Sequence, residues 1–595
     1  MSPRDLSRHI PCRTDINIDL FAELTIGYDP AARRAVLENL TSGWRLGVVL
    51  PPPGRAWAPS FMSNEARERV TAHFETETEI GRMIGPFTTP PSGRHWGKTV
   101  SFPVSQVEKG DGSHRTIFNM SYDYENSVNN AIPEEAGYTV YPTFEEVARA
   151  IQEIGLSETY FCLFDIKEAF RQLRIHPDDW IYQVISWQTT MDGVREWHIV
   201  LALPFGVRTG PTIFNDFGDA LEYVLRQTCL TTLLRVIIAI LIRYLDDHLL
   251  VARGREAASE VLDRMLIMMR RLNVPVKDSK TVLPTTEIKY TGFWWEPRRD
   301  LVTLAKSRWE QLEAELTRID RDLGRGDISA AEIQSLAGLL CWASKVIPFG
   351  MIYIRELYSV VADMGMSSAP RALAKNAYIV EAAHVDRARQ DTSWWLDLCR
   401  DYRTVANGVI GRRISQVGVE SDSTEPLTCE LFSDMSGGGL GAHWKGSTLW
   451  GYAPMADDLT LDRHDASRIY ISSGYGEAAG ILMCLLTFLP IWAAKYPERQ
   501  PGTRVLLHSD SWVAVSVWNS QKGRQKMRPY LRALERLCAF YNIDLQLVHI
   551  AGVDNVIADL ISRLKDGKMS RELRAAFPEA DDQPQPTISR DRLFL

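Results

Sequence analysis

The chain has 595 residues, 45% of them hydrophobic and 24% charged, which indicates several folded domains and excludes a mainly disordered polymer. Its formal net charge of −8 excludes a uniformly basic surface, although a local basic groove is compatible with it. The eight cysteines form no C-x-x-C pair, so neither a zinc knuckle nor a disulfide framework is predicted. We expect a soluble intracellular protein of the cytoplasm or nucleus, because the longest apolar runs, Val236–Ile242 and Ile481–Trp492, are too short to cross a membrane and indicate buried core elements.

The pattern of apolar residues and breaks divides the chain into five segments. In chain order these are an N-terminal extension (1–84), a first α/β segment (85–295), a helical segment (296–425), a second α/β segment (426–565) and a polar tail predicted to be disordered (566–595). Helical periodicity predicts helices over Pro30–Leu40, Asn64–Met83, Thr212–Arg226, Ser307–Gly324 and Ala330–Ser344. The predicted fold class is therefore α+β and multidomain.

Two adjacent carboxylates stand in the most apolar part of the first α/β segment. Asp246 and Asp247 follow Tyr244 within the apolar stretch Val236–Val251. Adjacent buried carboxylates repel one another unless cations lie beside them, and hard divalent ions prefer carboxylate oxygens. Asp165 ends an earlier apolar run, and only tertiary folding can bring it to the same place. These three residues predict a site for a pair of divalent metal ions.

Three segments of the chain occur in the order and spacing of a known family. They are Asp165-x-x-x-Ala-Phe170, Leu203-Pro-Phe-Gly-Val-Arg-Thr-Gly-Pro211 and Tyr244-x-Asp-Asp247. Together they resemble the sequential palm motifs of reverse transcriptases. The resemblance implies a right-hand polymerase, with fingers and palm over residues 85–295 and a helical thumb or connection over residues 296–425. It also implies that the three carboxylates are catalytic and bind two Mg²⁺ ions, with Mn²⁺ as an alternative.

The same resemblance implies basic residues that contact the nucleotide. Lys109 and Arg115 lie in a segment that looks like the part of the fingers that holds the incoming triphosphate. An arginine there can grip phosphate through two parallel hydrogen bonds. Lys280 stands where the family has a palm lysine, and it is either a general acid toward pyrophosphate or a solvated surface lysine.

Phe170 implies a preference for one sugar. It lies five residues after Asp165, where the family places an aromatic gate against the ribose 2′-hydroxyl; a core aromatic is the alternative. If Phe170 is the gate, the enzyme selects deoxynucleotides. Phe205 and Gly206 belong to a loop whose glycines allow close backbone approach to a ligand. Phe205 stands where some relatives have glutamine, so this position does not favour a retroviral enzyme.

Four further carboxylates occur in the second α/β segment. Each is predicted at the end of a strand or the start of a helix, and Glu477 is predicted to open an apolar helix. This is the pattern expected of a two-metal nuclease. The four residues are Asp434, Glu477, Asp510 and Asp559.

The order of these carboxylates resembles ribonuclease H as fused behind reverse transcriptases, with an α/β fold over residues 426–565. The segment Asn555-x-x-Ala-Asp-x-x-Ser-Arg563 is similar to the ending of retrotransposon ribonuclease H domains. The resemblance implies that all four residues are catalytic and hold two Mg²⁺ ions. His549 is either a mobile histidine near the fourth carboxylate or a structural one. The basic segment Ser520–Arg528 either contacts hybrid phosphates or is a solvated loop.

The loop Leu203–Pro211 and the segment Gln334–Pro348 look most like DIRS-like retrotransposons, with gypsy-like long-terminal-repeat elements second. The implied function is an RNA-directed DNA polymerase with ribonuclease H, which copies retroelement RNA and degrades the RNA of the hybrid. The expected partners are an RNA template, a DNA primer, the RNA–DNA hybrid and dNTPs, without a membrane. A domesticated or inactive protein that only binds nucleic acid is the alternative. The sequence does not indicate an oligomeric state.

Overall fold

The computed structural model describes residues 6, 14–55, 60–91, 99–108, 112, 114–123, 125–229, 238–363, 380, 382–404, 410–417, 429–454, 466–497, 503–521, 523, 527–541, 543–565 and 567–586. The chain forms two compact units. Unit 1 comprises residues 1–305 and 412–419, and unit 2 comprises residues 306–411 and 420–595. Both units combine helices with β-sheets, so the predicted α+β class is confirmed.

Unit 1 begins with helices and then alternates strands and helices. Its helices are α1 Ile18–Leu24, α2 Pro30–Ser42, α3 Asn64–Glu79, α4 Phe144–Ile154, α5 Gly210–Cys229 and α6 Arg255–Arg271. Its strands are β1 Met83–Phe87, β2 Val104–Glu108, β3 His114–Phe118, β4 Thr159–Asp165, β5 Val184–Trp187, β6 Glu196–Val200, β7 Ala239–Tyr244, β8 Asp247–Arg253, β9 Val282–Thr285, β10 Ile288–Tyr290, β11 Phe293–Glu296 and β12 Leu301–Leu304.

The central sheet of unit 1 has the strand order β7-β8-β4-β9 and is antiparallel throughout its pairs. A second sheet has the order β1-β6-β5, and β2 pairs with β3 in a separate hairpin. Helix α4 packs its apolar face inward, and Thr143 and Glu146 cap its N-terminus reciprocally. In a sheet with one face in solvent, buried and exposed residues alternate along each strand. In β8 all residues over His248–Ala252 are buried instead, because helices cover this sheet.

The N-terminal helices are part of the unit 1 core. Phe21, Leu40, Trp44 and Leu46 are buried in the same apolar cluster as the central sheet. Phe21 stacks on Phe217 of α5 with ring centroids 5.6 Å apart. Residues 14–50 therefore contribute a layer of the folded unit.

The prediction of one helix over Asn64–Met83 is wrong at its C-terminal end. Helix α3 ends at Glu79, and Met83 begins strand β1. Met83 is fully buried and pairs with Val200 of β6. Tertiary strand pairing therefore overrides the local helical pattern of the last residues.

Unit 2 begins with helices and continues into a second α/β region. Its helices are α7 Lys306–Arg325, α8 Ala330–Ala343, α9 Arg355–Asp363, α10 Ala382–Thr404, α11 Ala466–Lys495, α12 Trp512–Ser520, α13 Arg528–Tyr541, α14 Val556–Ser562 and α15 Arg571–Ala576. After the short strand β13 Gly411–Arg412, at the boundary between the units, its strands are β14 Cys429–Ser436, β15 Gly439–Trp444, β16 Trp450–Pro454, β17 Thr503–Ser509 and β18 Ile543–His549.

The sheet of unit 2 is mixed, with the strand order β16-β15-β14-β17-β18. The pairs of β14 with β17 and of β17 with β18 are parallel, whereas β14, β15 and β16 are antiparallel neighbours. Among the described helices, the stretch Tyr475–Lys495 is long and apolar enough to cross a membrane, but 72% of its most apolar window is buried inside the protein. Ile481 and Trp492 are both buried, so the prediction of a core element is confirmed.

Buried ion pairs join the first helices of unit 2 to α13. Arg528 at the start of α13 pairs with Glu356 of α9, and both side chains are buried. Arg532 of α13 pairs with the fully buried Asp391 of α10 at 3.1 Å. Arg528 is therefore not free to contact hybrid phosphates, which corrects the hypothesis for the last residue of the basic segment Ser520–Arg528.

The prediction of a disordered tail over residues 566–595 is wrong for residues 567–586. This segment contains α15 and continues to Gln585, whose backbone N–H donates to the Trp450 carbonyl at 2.7 Å. Leu573 and Phe577 are buried in a cluster with Trp450 and Ile561. Leu573 and Phe577 are four residues apart, so they lie on one face of α15 and pack into this cluster although the segment as a whole is polar.

Candidate active sites

The carboxylates of unit 1 lie on the β7–β8 hairpin and on the neighbouring strand β4. Tyr244 pairs with Asp247, which leaves Leu245 and Asp246 as the turn. Leu245 has a φ of +51°, in the left-handed region that tight hairpin turns use. Strand β4 pairs antiparallel with β8 and places Asp165 opposite Asp247. The structure thus brings together all three carboxylates predicted from the sequence.

Burial and neighbouring negative charges raise the pKa values of Asp246 and Asp247. Burial, followed by the negative charge of Asp165, raises the pKa of Asp246. Burial and the charges of Asp246 and Asp165 raise the pKa of Asp247 to about 6. Lys280 donates a hydrogen bond to Asp165, and although burial opposes it, this contact raises the pKa of Lys280. Lys280 therefore lies in this site as a cation, with half of its side chain exposed.

The other predicted nucleotide contacts form a stack. The guanidinium of Arg115 lies 5.4 Å from the ring centre of Phe205, and Phe205 stacks on Phe170 at 5.2 Å. Gly206 is exposed, and its carbonyl accepts a hydrogen bond from Asn129 at 2.8 Å. Lys109 lies outside the described residues. Arg115 also lowers the pKa of Asp246, so the stack lies within electrostatic reach of the carboxylates.

Unit 2 brings three of its four predicted carboxylates together. Among the described residues, Asp434, Glu477 and Asp510 form a trio whose ligand oxygens lie within 4.8 Å of one another. Asp434 lies on β14, and Asp510 follows the parallel strand β17. Glu477 approaches from α11, which packs on β14. The prediction that Glu477 opens this helix is wrong, because α11 begins at Ala466.

The trio has the electrostatics of a cation site. Burial, followed by the charges of Asp434 and Asp510, raises the pKa of Glu477 to about 9. Burial and the charges of Asp510 and Asp559 raise the pKa of Asp434 to about 6, although a hydrogen bond from Ser562 opposes this shift. Oε2 of Glu477 is buried without a hydrogen-bond partner among the described residues. A divalent cation fits this site, because it would satisfy that oxygen and offset the crowded charge.

The fourth carboxylate stands beside the trio. Asp559 on α14 accepts a hydrogen bond from Nε of Arg563 at 2.8 Å and forms an ion pair with Nη2 of Arg563 at 2.6 Å, and it is not one of the three clustered residues. His549 is exposed at the end of β18, and its Nε2 lies 3.1 Å from the Asp510 carbonyl oxygen. It also contacts the ring of Trp512 edge-on at 5.5 Å. His549 is thus at the rim of the site.

Sequence reasoning missed residues that hold these carboxylates in place. The Ser562 hydroxyl donates to Oδ2 of Asp434 at 2.6 Å, and the Asn555 amide donates to the Ser433 carbonyl at 2.9 Å. Both lie in the motif that resembles retrotransposon ribonuclease H, but the motif alone does not show which carboxylate they contact. In unit 1, Arg243 is buried next to the turn that carries Asp246, and its charge inside an apolar strand was the sequence signal that could have identified it.

A comparison with protein families identifies part of the chain. Residues 107–295 match the family described as "Reverse transcriptase (RNA-dependent DNA polymerase)". This part of the chain is a reverse transcriptase domain of the retroviral and retroelement type. Asp165, Asp246, Asp247 and Lys280 all lie within the matched residues.

Retroviral polyproteins are similar to part of the chain, over 246 residues in each of two cases. The Gag-Pol polyprotein of Gibbon ape leukemia virus is 23% identical over 246 residues, which cover 41% of this chain and 13% of the polyprotein. The Gag-Pol polyprotein of Koala retrovirus is 24% identical over 246 residues, which cover 40% of this chain and 13% of the polyprotein. The chain therefore spans a small part of the length of the polyproteins that it matches.

Solved structures of foamy viral proteins are similar at low sequence identity. The foamy viral protease-reverse transcriptase dRH in complex with ds DNA has a TM-score of 0.43 and 14% identity, covering 90% of this chain and 82% of that chain. The foamy viral protease-reverse transcriptase in complex with RNA/DNA hybrid has a TM-score of 0.40 and 14% identity, covering 90% of this chain and 63% of that chain.

Proposed function

We propose that this chain is an RNA-directed DNA polymerase with ribonuclease H activity, encoded by a retrotransposon. The observation that carries the proposal is the placement of Asp165 opposite Asp247, inside the segment that matches the reverse transcriptase family. The compact trio in unit 2 supports the nuclease part. The substrates are then an RNA template with a DNA primer, dNTPs and the RNA–DNA hybrid that polymerisation produces.

Phosphoryl transfer requires charge stabilisation and positioning more than covalent help from side chains. Asp165, Asp246 and Asp247 would hold two divalent ions, Mg²⁺ or alternatively Mn²⁺. The bound ions would neutralise the triphosphate and lower the pKa of the primer 3′-hydroxyl. Arg115 donates to the phosphates of the incoming dNTP, as does Lys109. Lys280, a cation beside Asp165, donates a proton toward the leaving pyrophosphate.

The stack of Arg115, Phe205 and Phe170 positions the nucleotide. Phe170 is half-buried and supported from the core by Phe214 at 5.4 Å, so its ring cannot retreat easily. A rigid ring below the sugar excludes a ribose 2′-hydroxyl by contact. The polymerase therefore selects deoxynucleotides.

Asp434, Glu477, Asp510 and Asp559 would hold two Mg²⁺ ions for hydrolysis of the RNA strand. Ser562 orients Asp434 through its hydroxyl, and Asp559 joins the site once its carboxylate is released from Arg563. His549 lies at the rim of this site, where the resemblance implies a mobile histidine near the fourth carboxylate. Recognition of the hybrid relies on a 2′-hydroxyl on one strand and its absence on the other.

We further propose a right-hand arrangement in unit 1 with a helical thumb and connection from residue 296, followed by a ribonuclease H-like domain. The element is most like the DIRS-like class, with gypsy-like elements second. The loop Leu203–Pro211 and the segment Gln334–Pro348 support this order.

Two assays on the purified chain test the proposed function. One measures primer extension on poly(rA)/oligo(dT) with Mg²⁺, and the other measures cleavage of a labelled RNA–DNA hybrid. Asp246→Asn should abolish extension and leave cleavage, and Asp510→Asn should do the reverse. A wild-type chain without either activity would favour the alternative of an inactive protein that binds nucleic acid. Loss of both activities in either variant would reject two separate sites.

A further inference from the structure

We propose that Arg243 is a positioning residue for nucleotide addition, because its guanidinium fixes the turn that carries Asp246 against helix α5. The inference deepens the polymerase function proposed above and rests on it. Arg243 is the penultimate residue of β7, immediately before Tyr244. Its side chain is only 4% exposed, so the charge is removed from water.

The guanidinium reaches one face of α5 and the turn at the same time. Nη2 donates to Asp219, Nε donates to Glu222 at 3.3 Å, and Nη1 donates to Asn215 at 2.9 Å. Asn215, Asp219 and Glu222 are spaced four and three residues apart, so they lie on a single face of the helix. Nη1 also donates to the carbonyl oxygen of Leu245 at 3.3 Å.

That last contact links the helix to the catalytic residues. Leu245 has a left-handed backbone conformation, which is strained for a residue other than glycine and persists only when surrounding contacts stabilise it. Asp246 is the next residue, so the orientation of the Leu245 peptide sets where its carboxylate points. A planar guanidinium with several fixed donors can hold a helix and a turn together, which a flexible ammonium does less well.

Helix α5 is shaped to accept this side chain. A Cβ atom at Gly218 would lie 2.4 Å from Nη1 of Arg243 and 2.7 Å from its Cζ. Glycine inside a helix is less stable than alanine at the same position. The helix therefore carries an unfavourable residue at the position where the guanidinium lies.

Arg226 on the same helix provides a matched control. It hydrogen-bonds Glu222, at 2.9 Å from Nε, and the carbonyl oxygen of Leu241 on β7. This contact also ties α5 to β7, but it lies away from the turn. Arg226→Gln removes a tie between the same elements without a contact to Leu245.

The test uses the full chain with poly(rA)/oligo(dT), dTTP and Mg²⁺. For Arg243→Gln we expect kcat to fall about 10–100-fold, the range seen when residues that orient metal ligands are changed. The KM for dTTP should stay within about twofold, and the Mg²⁺ concentration for half-maximal extension should rise. Hybrid cleavage, which belongs to unit 2, should be unchanged, and an unchanged melting temperature of the variant reports that unit 1 is folded.

Gly218→Ala separates positioning from folding. Alanine stabilises the helix relative to glycine, but its Cβ atom forces the guanidinium to move. We expect kcat to fall without a decrease in the melting temperature, whereas Arg226→Gln should keep kcat within about twofold. The inference is overturned if Arg243→Gln and Gly218→Ala keep the wild-type kcat, or if Arg226→Gln loses as much. A wild-type chain that extends no primer rejects the proposed function instead.

Discussion

The two carboxylate sites solve the same electrostatic problem in different ways. In unit 1, Asp246 and Asp247 come from one hairpin, and Lys280 already lies beside Asp165 as a cation. In unit 2, the trio is assembled from β14, α11 and the end of β17, and burial raises the pKa of Glu477 to about 9. The first site is therefore partly neutralised by Lys280, whereas in the second Arg563 pairs with Asp559 and no cation among the described residues counters the rise in the pKa of Glu477. The difference predicts which site responds more strongly to pH and to metal.

The largest expected effect is from Glu477→Gln. Glutamine has nearly the shape of a protonated glutamic acid, so the metal-free fold should keep its melting temperature. Hybrid cleavage should fall about 1000-fold or more, because a ligand at the centre of the trio is lost. Primer extension should stay within about twofold. Differential scanning fluorimetry with and without Mn²⁺, together with both assays, checks this. A parallel loss of extension would contradict the independence of the sites.

The next effect concerns pH and sharpens the contrast between the sites. Metal binding requires deprotonated carboxylates, so protons compete below the pKa of each ligand. With the pKa of Glu477 near 9 and that of Asp434 near 6, metal affinity at the trio of unit 2 should rise about 50-fold between pH 7 and pH 9. At the carboxylate site of unit 1, where the pKa of Asp247 is about 6, metal affinity should level off above about pH 7.

The Mg²⁺ concentration for half-maximal activity, measured for extension and for cleavage at each pH, gives this comparison directly. The same buffers serve both assays, so effects on the fold appear in both. Equal pH dependence of the two half-maximal concentrations would show that the trio is not more crowded than the hairpin site.

A smaller effect should touch only the polymerase site. Phe170→Val removes the ring proposed to exclude ribose, so the preference for dTTP over UTP should fall about tenfold. Phe214→Leu keeps the Phe170 ring and removes only part of the buried support behind it, so the preference should fall less than in Phe170→Val. Steady-state extension with each nucleotide measures the ratio. Unchanged selectivity in Phe170→Val would make Phe170 a core aromatic.

The smallest effect on activity is expected from Leu573→Ala in the C-terminal segment. Leu573 is fully buried against Ile561 of α14, the helix that carries Asp559. The cavity should lower the free energy of unfolding by about 2–4 kcal/mol while cleavage at 25 °C is retained. The exposed Glu572→Ala on the same helix should cost no more than about 1 kcal/mol. Urea denaturation measures the free energy of unfolding of each variant, and the cleavage assay measures its activity. An equal loss of unfolding free energy in the two variants would show that the C-terminal segment is not packed on α14.

The sequence alone predicted the structure correctly where the chemistry of a residue and the local pattern of apolar residues indicate the same placement. Asp165 at a strand end and Asp246–Asp247 in an apolar hairpin could be placed together because strand ends and a family motif agree. The α5 helix was found from its periodicity and extends only a few residues beyond the predicted Thr212–Arg226. These features depend on short-range order.

Long-range packing explains what the sequence did not reveal. Glu477 was predicted to open a helix because glycines precede it, but Gly476 lies against Met435, where a Cβ atom would be 2.8 Å from the methionine side chain. That glycine serves close packing inside α11 and does not mark its start. The contacts of Ser562 and Arg243 likewise depend on partners that are far away in the sequence.

Arg528 pairs with Glu356, and Arg532 pairs with Asp391. These pairs limit which parts of the chain can be exchanged with those of a related protein. An exchange that replaced only residues 429–586 with a sequence lacking these arginines would leave two buried acids without their cations, which typically costs several kcal/mol for each broken pair. The helices of unit 2 that carry Glu356 and Asp391 are therefore expected to be inherited together with residues 429–586, rather than separately from them.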